Sequence, residues 1–257
     1  METPLAPDTP LVDAVVPSPN FGPRKAQVDM LVLHYTGMAS AEAAIDLLRT
    51  PASEVSCHYV VREDGSIVQM VAEAARAWHA GVSAWEGVTD TNSRSIGIEI
   101  VNGGHDFGLP AFPDTQMARV IALSADIVAR HAIRADRVLA HSDVAPARKR
   151  DPGERFPWDL LHGAGVGHLV PEAQVAGGRF FMLGDRGEPV AALKAMLGYY
   201  GYAIALDDAY DAATAEVVTA FQRHFRPSKV DGVADASTIL TLRELIATRP
   251  GDAPAVA

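Results

Sequence analysis

Two residues with metal-binding side chains, His141 and Asp151, lie ten positions apart in one short stretch of the sequence. The apolar run 138–140 predicts a buried strand that ends at His141, and the stiff pair that begins with Pro152 predicts a turn that positions Asp151. An imidazole and a carboxylate can share one metal ion, but a third ligand must come from elsewhere, and water holds the open position of a catalytic site. Lys149 would bring a positive charge into the same cleft.

A second histidine, His34, also ends an apolar run, so we expect it at the rim of the same sheet as His141. Glu99 is the only charged residue in the apolar stretch 95–101. Two histidines and one carboxylate are typical of catalytic zinc. Glu99 could carry a proton, and Lys149 could stabilise an oxyanion. These groups suffice to hydrolyse an amide, although each histidine taken alone could equally be a hydrogen-bonded residue at the rim.

The elements that must position these residues alternate between strands and helices. Residues 55–61 and 66–71 flank Asp64-Gly65, a strong hairpin signal. Ser40 can cap a helix that runs to residue 49 with Leu47 on its inner face, and Asp114 can cap a long amphipathic helix that ends near residue 130. The pattern predicts an α/β domain over residues 23–170, with a mixed central β-sheet flanked by helices.

The rest of the chain predicts a second, smaller unit. Residues 1–22 are rich in proline and predict an extended arm, 171–180 a linker, and 250–257 a flexible tail. Three helical patterns at 188–200, 211–225 and 235–247, the last two capped by Asp211 and Asp235, predict a three-helix bundle over residues 181–249. We expect this bundle to bind rather than to catalyse, and we assign five histidines to the surface or linker: His105, His131, His162, His168 and His224.

The composition and charge of the chain argue against several kinds of binding partner. The net charge is −10 and no long Lys/Arg block occurs, which argues against nucleic acid or an anionic membrane surface. No apolar stretch approaches the length of a membrane span, and the single cysteine, Cys57, excludes an intrachain disulfide. The first residues lack the basic start and apolar run of a secretory signal. We therefore expect a cytoplasmic protein, or a periplasmic one if a leader has been removed.

Five motifs follow one another between residues 25 and 160, at 33–34, 56–65, 77–81, 95–99 and 141–153. In type and order they resemble the zinc-dependent type 2 N-acetylmuramoyl-L-alanine amidases. The resemblance implies one zinc ion per chain and assigns roles to seven residues. The expected ligands are His34, His141 and Asp151, the expected catalytic residues Glu99 and Lys149, and the expected substrate contacts Trp78 and His79.

Two differences place the chain within that family. Asp151 stands where phage and recognition-protein relatives usually have cysteine, and Cys57 stands where they carry a catalytic tyrosine. Both differences indicate the bacterial muropeptide-recycling and cell-wall branch. The C-terminal segment resembles the three-helix peptidoglycan-binding domain that often accompanies wall hydrolases.

The resemblance implies hydrolysis of the bond between N-acetylmuramic acid, or its 1,6-anhydro form, and L-alanine of the stem peptide. The expected partners are peptidoglycan or anhydro-muropeptides, and the protein is expected to be a monomer. The alternative is a non-catalytic peptidoglycan receptor, but such relatives typically lose a zinc ligand, which this chain does not. Because no predicted ligand follows Asp151, we also expect a chain cut near residue 175 to fold and to hydrolyse small muropeptides.

Overall fold

The computed structural model describes residues 5–174, 177–178 and 180–251. The outermost part of the predicted arm, part of the predicted linker and nearly all of the predicted tail lie outside these residues. No helix within them is both long and apolar enough to cross a membrane.

A six-stranded mixed sheet forms the centre of the larger unit, as the sequence predicts. Its strands are β1 (Ala14–Val15), β3 (Met30–Tyr35), β4 (Tyr59–Val61), β5 (Ile67–Gln69), β7 (Ser95–Ile100) and β8 (Val138–Ala140). Their spatial order is β1-β5-β4-β7-β3-β8. The pair β4–β5 is antiparallel and forms the predicted hairpin, whereas the other neighbours are parallel. A two-stranded antiparallel sheet, β2 (Phe21–Pro23) and β6 (Ala75–Ala77), lies beside it.

Helices cover both faces of the sheet. They are α1 (Ala41–Leu48), α2 (Thr91–Arg94), α3 (Asp114–His131), α4 (His141–Val144) and α5 (Trp158–Gly163), with 3-10 turns at Pro51–Ser53, His105–Phe107 and Ala135–Arg137. The buried residues of α3 pack against one face of the sheet and form one hydrophobic cluster with it. Helix α1 packs against the other face in a second cluster. Two details of the prediction are wrong. Pro113 rather than Asp114 is the N-cap of α3, and Leu47 is 44% exposed instead of facing the core.

Residues 5–22, part of the predicted extended arm, are packed against the larger unit. Strand β1 pairs with β5 at the edge of the main sheet, and Asp8 accepts a hydrogen bond of 2.8 Å from the backbone N–H of Glu73. Ser18 and Asn20 are buried, and Asn20 donates to the carbonyls of Thr50 and Val55. Prolines break periodicity here, yet extended backbone can still complete a sheet edge, which composition alone does not reveal.

The predicted three-helix bundle is present, with helices α6 (Glu188–Tyr200), α7 (Ala212–Phe225) and α8 (Ala236–Ala247). Asp211 and Asp235 cap α7 and α8 as predicted, through bonds of 2.8 Å from Thr214 N and 2.9 Å from Thr238 N. The bundle is closed by a core that includes Leu197, Phe221 and Leu242.

The hydrophobic core of the bundle extends into the larger unit. The same cluster contains residues of the larger unit: Met30, Trp85, Leu139, Val144 and Val170. Trp85 is fully buried, its ring centroid lies 5.0 Å from that of Tyr202, and the two residues form a β-bridge. Arg249 forms ion pairs with Glu86 and Asp136 beside this core. The two units therefore share one hydrophobic core.

Two histidines assigned to the surface or linker lie in this interface, so that assignment is wrong. His224 stacks on Trp158 at 3.7 Å, and its Nδ1 lies 2.6 Å from an oxygen of Asp143. His168 lies 3.0 Å from the hydroxyl of Tyr200 and is 8% exposed. A single polar residue in a helical stripe carries no sign that a second unit will cover it, so the sequence could not reveal this burial.

Candidate active site

The three predicted metal ligands meet at one edge of the sheet. His34 lies near the end of β3, and α4 begins at His141 directly after the neighbouring parallel strand β8, so both side chains emerge at the same edge. The two Nδ1 atoms are 2.9 Å apart, and Asp151 Oδ2 lies 3.1 Å from His34 Nδ1 and 2.9 Å from His141 Nδ1. All three residues are buried, so their ligand atoms form a compact group that could hold one metal ion.

The donor set fits a divalent ion such as zinc. Burial and the neighbouring His141 lower the pKa of His34 to about 4, so this imidazole is neutral at pH 7. Burial opposes ionisation of Asp151, but His141 and His34 outweigh it and hold the pKa of the carboxyl well below its usual range. His141 Nε2 lies 3.2 Å from the carbonyl oxygen of Ala80, which can only accept, so Nε2 carries the proton and Nδ1 keeps its lone pair.

Backbone contacts hold the loop of Asp151 in place. The N–H of Ser142 donates to the carbonyl of Asp151 at 3.0 Å, which joins the two ligand-bearing segments. Gly153 has φ +86°, and a Cβ there would lie 3.1 Å from His105 Cε1 and from Leu109 Cδ1. The turn therefore requires glycine both for its backbone angle and for this close approach.

An open cleft of about 360 Å³ lies over the triad. Its walls include both predicted catalytic residues, Glu99 and Lys149, and the apolar side chains of Met38 and Leu47. The side chain of Leu47 on α1 is therefore exposed because it lines the cleft. A volume of this size suits a small ligand with a mixed polar and apolar surface.

Glu99 lies on β7 directly opposite His34 of β3. Its Oε2 is buried, and no described group forms a hydrogen bond with it. Burial and the charge of Asp151 raise the pKa of Glu99 well above its usual value, against the opposing charge of Lys149. Lys149 itself has no hydrogen bond or ion pair from its side chain within the described part of the chain. The cleft thus holds a carboxyl able to keep a proton and an amino group free to meet a ligand.

Trp78 and His79 border the cleft, but they differ in what they contact. The indole of Trp78 is partly exposed on the wall. His79 is 8% exposed, and both ring nitrogens already have partners: Nδ1 lies 3.1 Å from His34 Nε2, and Nε2 lies 3.3 Å from Ser95 Oγ. This geometry favours a contact between His79 and the protein over the predicted contact with substrate.

Sequence reasoning missed a chain of polar groups on the other wall of the cleft. Tyr35 lines the cleft, and its hydroxyl lies 3.0 Å from His105 Nδ1. His105 Nε2 lies 3.0 Å from a carboxylate oxygen of Glu154, which is 3.7 Å from Arg223 Nε of α7. The adjacency of Tyr35 to His34 was an available signal, whereas His105 and Glu154 are isolated in the sequence. Arg223 thus connects the bundle to the cleft wall through this chain of polar groups.

Comparisons with known proteins agree with this geometry. The N-acetylmuramoyl-L-alanine amidase family matches residues 24–154, and a putative peptidoglycan binding domain matches residues 186–242. The N-acetylmuramoyl-L-alanine amidase AmiD of Escherichia coli is 39% identical over 227 residues, which cover 82% of this chain and 80% of that protein. The chain belongs to the N-acetylmuramoyl-L-alanine amidase family. The expected enzyme class is therefore confirmed, against the alternative of a non-catalytic receptor.

Two further relatives extend the likeness. The 1,6-anhydro-N-acetylmuramyl-L-alanine amidase AmpD of Enterobacter cloacae is 35% identical over 172 residues, which cover 59% of this chain and 90% of that protein. The solved complex of AmiD from Escherichia coli with its substrate anhydro-N-acetylmuramic acid-L-Ala-D-gamma-Glu-L-Lys is 36% identical, with a TM-score of 0.74. That structure covers 87% of this chain, which in turn covers 91% of it. The amidase fold and the added C-terminal helices therefore agree with a solved relative.

Proposed function

We propose that this amidase binds one zinc ion through His34 Nδ1, His141 Nδ1 and Asp151, and that it cleaves the bond between muramic acid and L-alanine. The observation that carries the proposal is the convergence of three buried ligand atoms at the base of a cleft. Zinc bound by three protein ligands keeps one position open, polarises a carbonyl and lowers the pKa of water.

The cleft residues supply the remaining chemistry. Glu99 accepts a proton from the attacking water and returns it to the leaving amine of L-alanine, because its raised pKa suits a group that holds a proton during the reaction. Lys149 places its positive charge beside the carbonyl oxygen of the amide that is cleaved, where negative charge develops. Trp78 offers an apolar surface to the sugar or the peptide, and His79 holds His34 rather than the substrate.

The substrate we infer is a soluble anhydro-muropeptide, processed in cell-wall recycling. The relative AmpD is named for the 1,6-anhydro sugar, and the complex of AmiD contains an anhydro-muramyl peptide. Polymeric peptidoglycan, processed in wall remodelling, is the second candidate, favoured by the match of residues 186–242 to a putative peptidoglycan binding domain. Purified protein offered both substrates, with products read by mass spectrometry, separates them.

We propose that residues 23–170 carry the chemistry and residues 181–249 bind peptidoglycan, with 171–180 between them. We also propose that the enzyme acts as a monomer, which light scattering tests. The cytoplasmic location stays a prediction, and fractionation of cells that express the native gene tests it.

The metal site has its own experiment. Metal analysis of active protein should find one zinc per chain, a chelator should abolish hydrolysis, and added zinc should restore it. His141→Ala should lose the metal, whereas a substitution of the exposed His162 should not. Active protein that holds no metal would overturn the proposal.

A further inference from the structure

A line of hydrogen bonds leads from the predicted ligand His34 into the protein. His34 Nε2 lies 3.1 Å from His79 Nδ1, and His79 Nε2 lies 3.3 Å from Ser95 Oγ. The hydroxyl of Ser95 in turn lies 2.7 Å from the carbonyl oxygen of Thr91. Each of these residues is less than a tenth exposed, so water does not compete for the bonds.

The donor and the acceptor of each hydrogen bond can be assigned by starting from the carbonyl of Thr91, the last group in the line. The carbonyl of Thr91 can only accept, so the hydroxyl of Ser95 uses its one proton there and can only accept from His79. His79 therefore carries its proton on Nε2, and its bare Nδ1 accepts from Nε2–H of His34. The lone pair of His34 is then left on Nδ1, the atom that points at His141 and Asp151.

We propose that His79 and Ser95 are positioning residues that fix the tautomer and ring orientation of His34 for metal binding. The inference rests on the metal site of the proposed function and assigns these two residues a role there. A partner on the second nitrogen of a ligating histidine commonly sets its tautomer and raises its basicity.

The segment that carries His79 also serves the other histidine ligand. The carbonyl of Ala80 accepts from His141 Nε2 at 3.2 Å. The side-chain oxygen of Asn92 accepts from the backbone N–H groups of His79 and Ala80 at 3.1 and 2.8 Å. One anchored dipeptide thus orients both imidazoles.

The ring of His79 is fixed by packing as well as by hydrogen bonds. It lies edge-on to the ring of His34, with 5.1 Å between centroids. A Cβ on Gly97 of β7 would lie 2.5 Å from Cγ of His79, so only glycine leaves room for the imidazole. Gly97→Ala therefore displaces His79 without removing any of its polar atoms.

The experiment measures zinc affinity of the full-length protein by competition with a chelator, together with the tautomer of His34 from its ¹⁵N chemical shifts. We expect His79→Leu and Gly97→Ala to weaken zinc binding about 10- to 100-fold. His79→Asn, whose side-chain oxygen can replace Nδ1 as acceptor, should recover much of that loss. His162→Leu, at an exposed histidine, is the matched control and should change nothing.

The outcomes separate this inference from the proposed function. Wild-type protein that binds no zinc overturns the metal site itself. If the wild type binds zinc but His79→Leu retains its affinity and the Nε2–H tautomer of His34, the positioning role is wrong. If His79→Leu does not fold, Ser95→Ala decides: a lower zinc affinity supports the role, and an unchanged affinity with an unchanged tautomer overturns it.

Discussion

The hydroxyl of Tyr202, in the C-terminal unit, donates a 2.7 Å hydrogen bond to the carboxylate of Asp143, two residues after His141. Asp143 is fully buried, and its other oxygen accepts from the backbone N–H of Ala140 and lies 2.6 Å from His224 Nδ1. A buried carboxylate is tolerated only where such partners replace water. The C-terminal bundle therefore supports the short helix that begins with a predicted metal ligand.

We predict that a chain cut near residue 175 will not form a stable amidase, contrary to the expectation from sequence. The cut exposes Met30, Trp85 and Leu139, and it leaves the carboxylate of Asp143 without Tyr202 and His224. The relative AmpD of Enterobacter cloacae matches only 59% of this chain. We therefore attribute the predicted loss of stability to the apolar surface that the cut exposes and not to the amidase fold. Urea unfolding and zinc content of the cut chain test this.

The full chain with Tyr202→Phe is the control for that experiment. It removes one hydrogen bond to Asp143 and keeps the shared core, so it should cost only about 1–3 kcal/mol of unfolding free energy. A cut chain that unfolds at the same urea concentration as wild type, with zinc bound, would contradict the supporting role of the bundle.

The sheet, its helices and the convergence of His34, His141 and Asp151 could be predicted because each has a local signal. His34 and His141 follow apolar runs that predict buried strands, and parallel strands deliver their last residues to one edge. The surroundings of the ligands were less accessible. The sequence does not show that His79 turns toward His34, since its side-chain direction depends on Gly97 and Ser95 of a distant strand.

Contacts between the two units were also beyond sequence reasoning. His224 fits the periodicity of an independent bundle, Tyr202 follows the first helix of that bundle, and Trp85 lies in a predicted loop. They lie where the two units meet, and each unit covers apolar surface of the other. The residues of an isolated helix therefore specify its own core but not its neighbour.

Glu99→Gln should keep the fold and the proposed zinc ion while turnover falls about 10²- to 10⁴-fold, since it removes the proposed proton carrier and none of the proposed metal ligands. The amide has nearly the shape of the acid, and Oε2 of Glu99 has no hydrogen bond within the described structure to lose. Hydrolysis of an anhydro-muropeptide and metal content are measured together. Near-normal turnover with zinc retained would mean that another group moves the proton.

Tyr35→Phe should leave zinc binding unchanged and reduce kcat/KM about three- to tenfold, the worth of one hydrogen bond. His105 Nε2 donates to the carboxylate of Glu154, so its Nδ1 accepts from the hydroxyl of Tyr35 and leaves the oxygen able to accept from a substrate N–H or O–H in the cleft. Tyr199→Phe, outside the cleft, is the control. Equal kinetics for both variants would show that this hydroxyl does not meet the substrate.

The stability of the amidase should fall as the pH is lowered from about 5 toward 2, because of Glu73. Burial opposes ionisation of this carboxyl, but hydrogen bonds from Arg130, Tyr59 and His131 outweigh it and lower its pKa from 4.5 to about 2. A group whose pKa is depressed in the folded state stabilises it above the unfolded pKa, and that contribution is lost as the pH falls through the folded pKa.

A shift from 4.5 to about 2 corresponds to roughly 3 kcal/mol of unfolding free energy. Urea unfolding across this pH range measures the loss. Glu73→Gln should be less stable than wild type at pH 6, by about that amount, and should show a shallower dependence on pH. Glu63→Gln, at an exposed position, should follow the wild-type curve. If the unfolding free energy of Glu73→Gln depended on pH as steeply as that of the wild type, the loss of stability at low pH would have to come from other carboxylates.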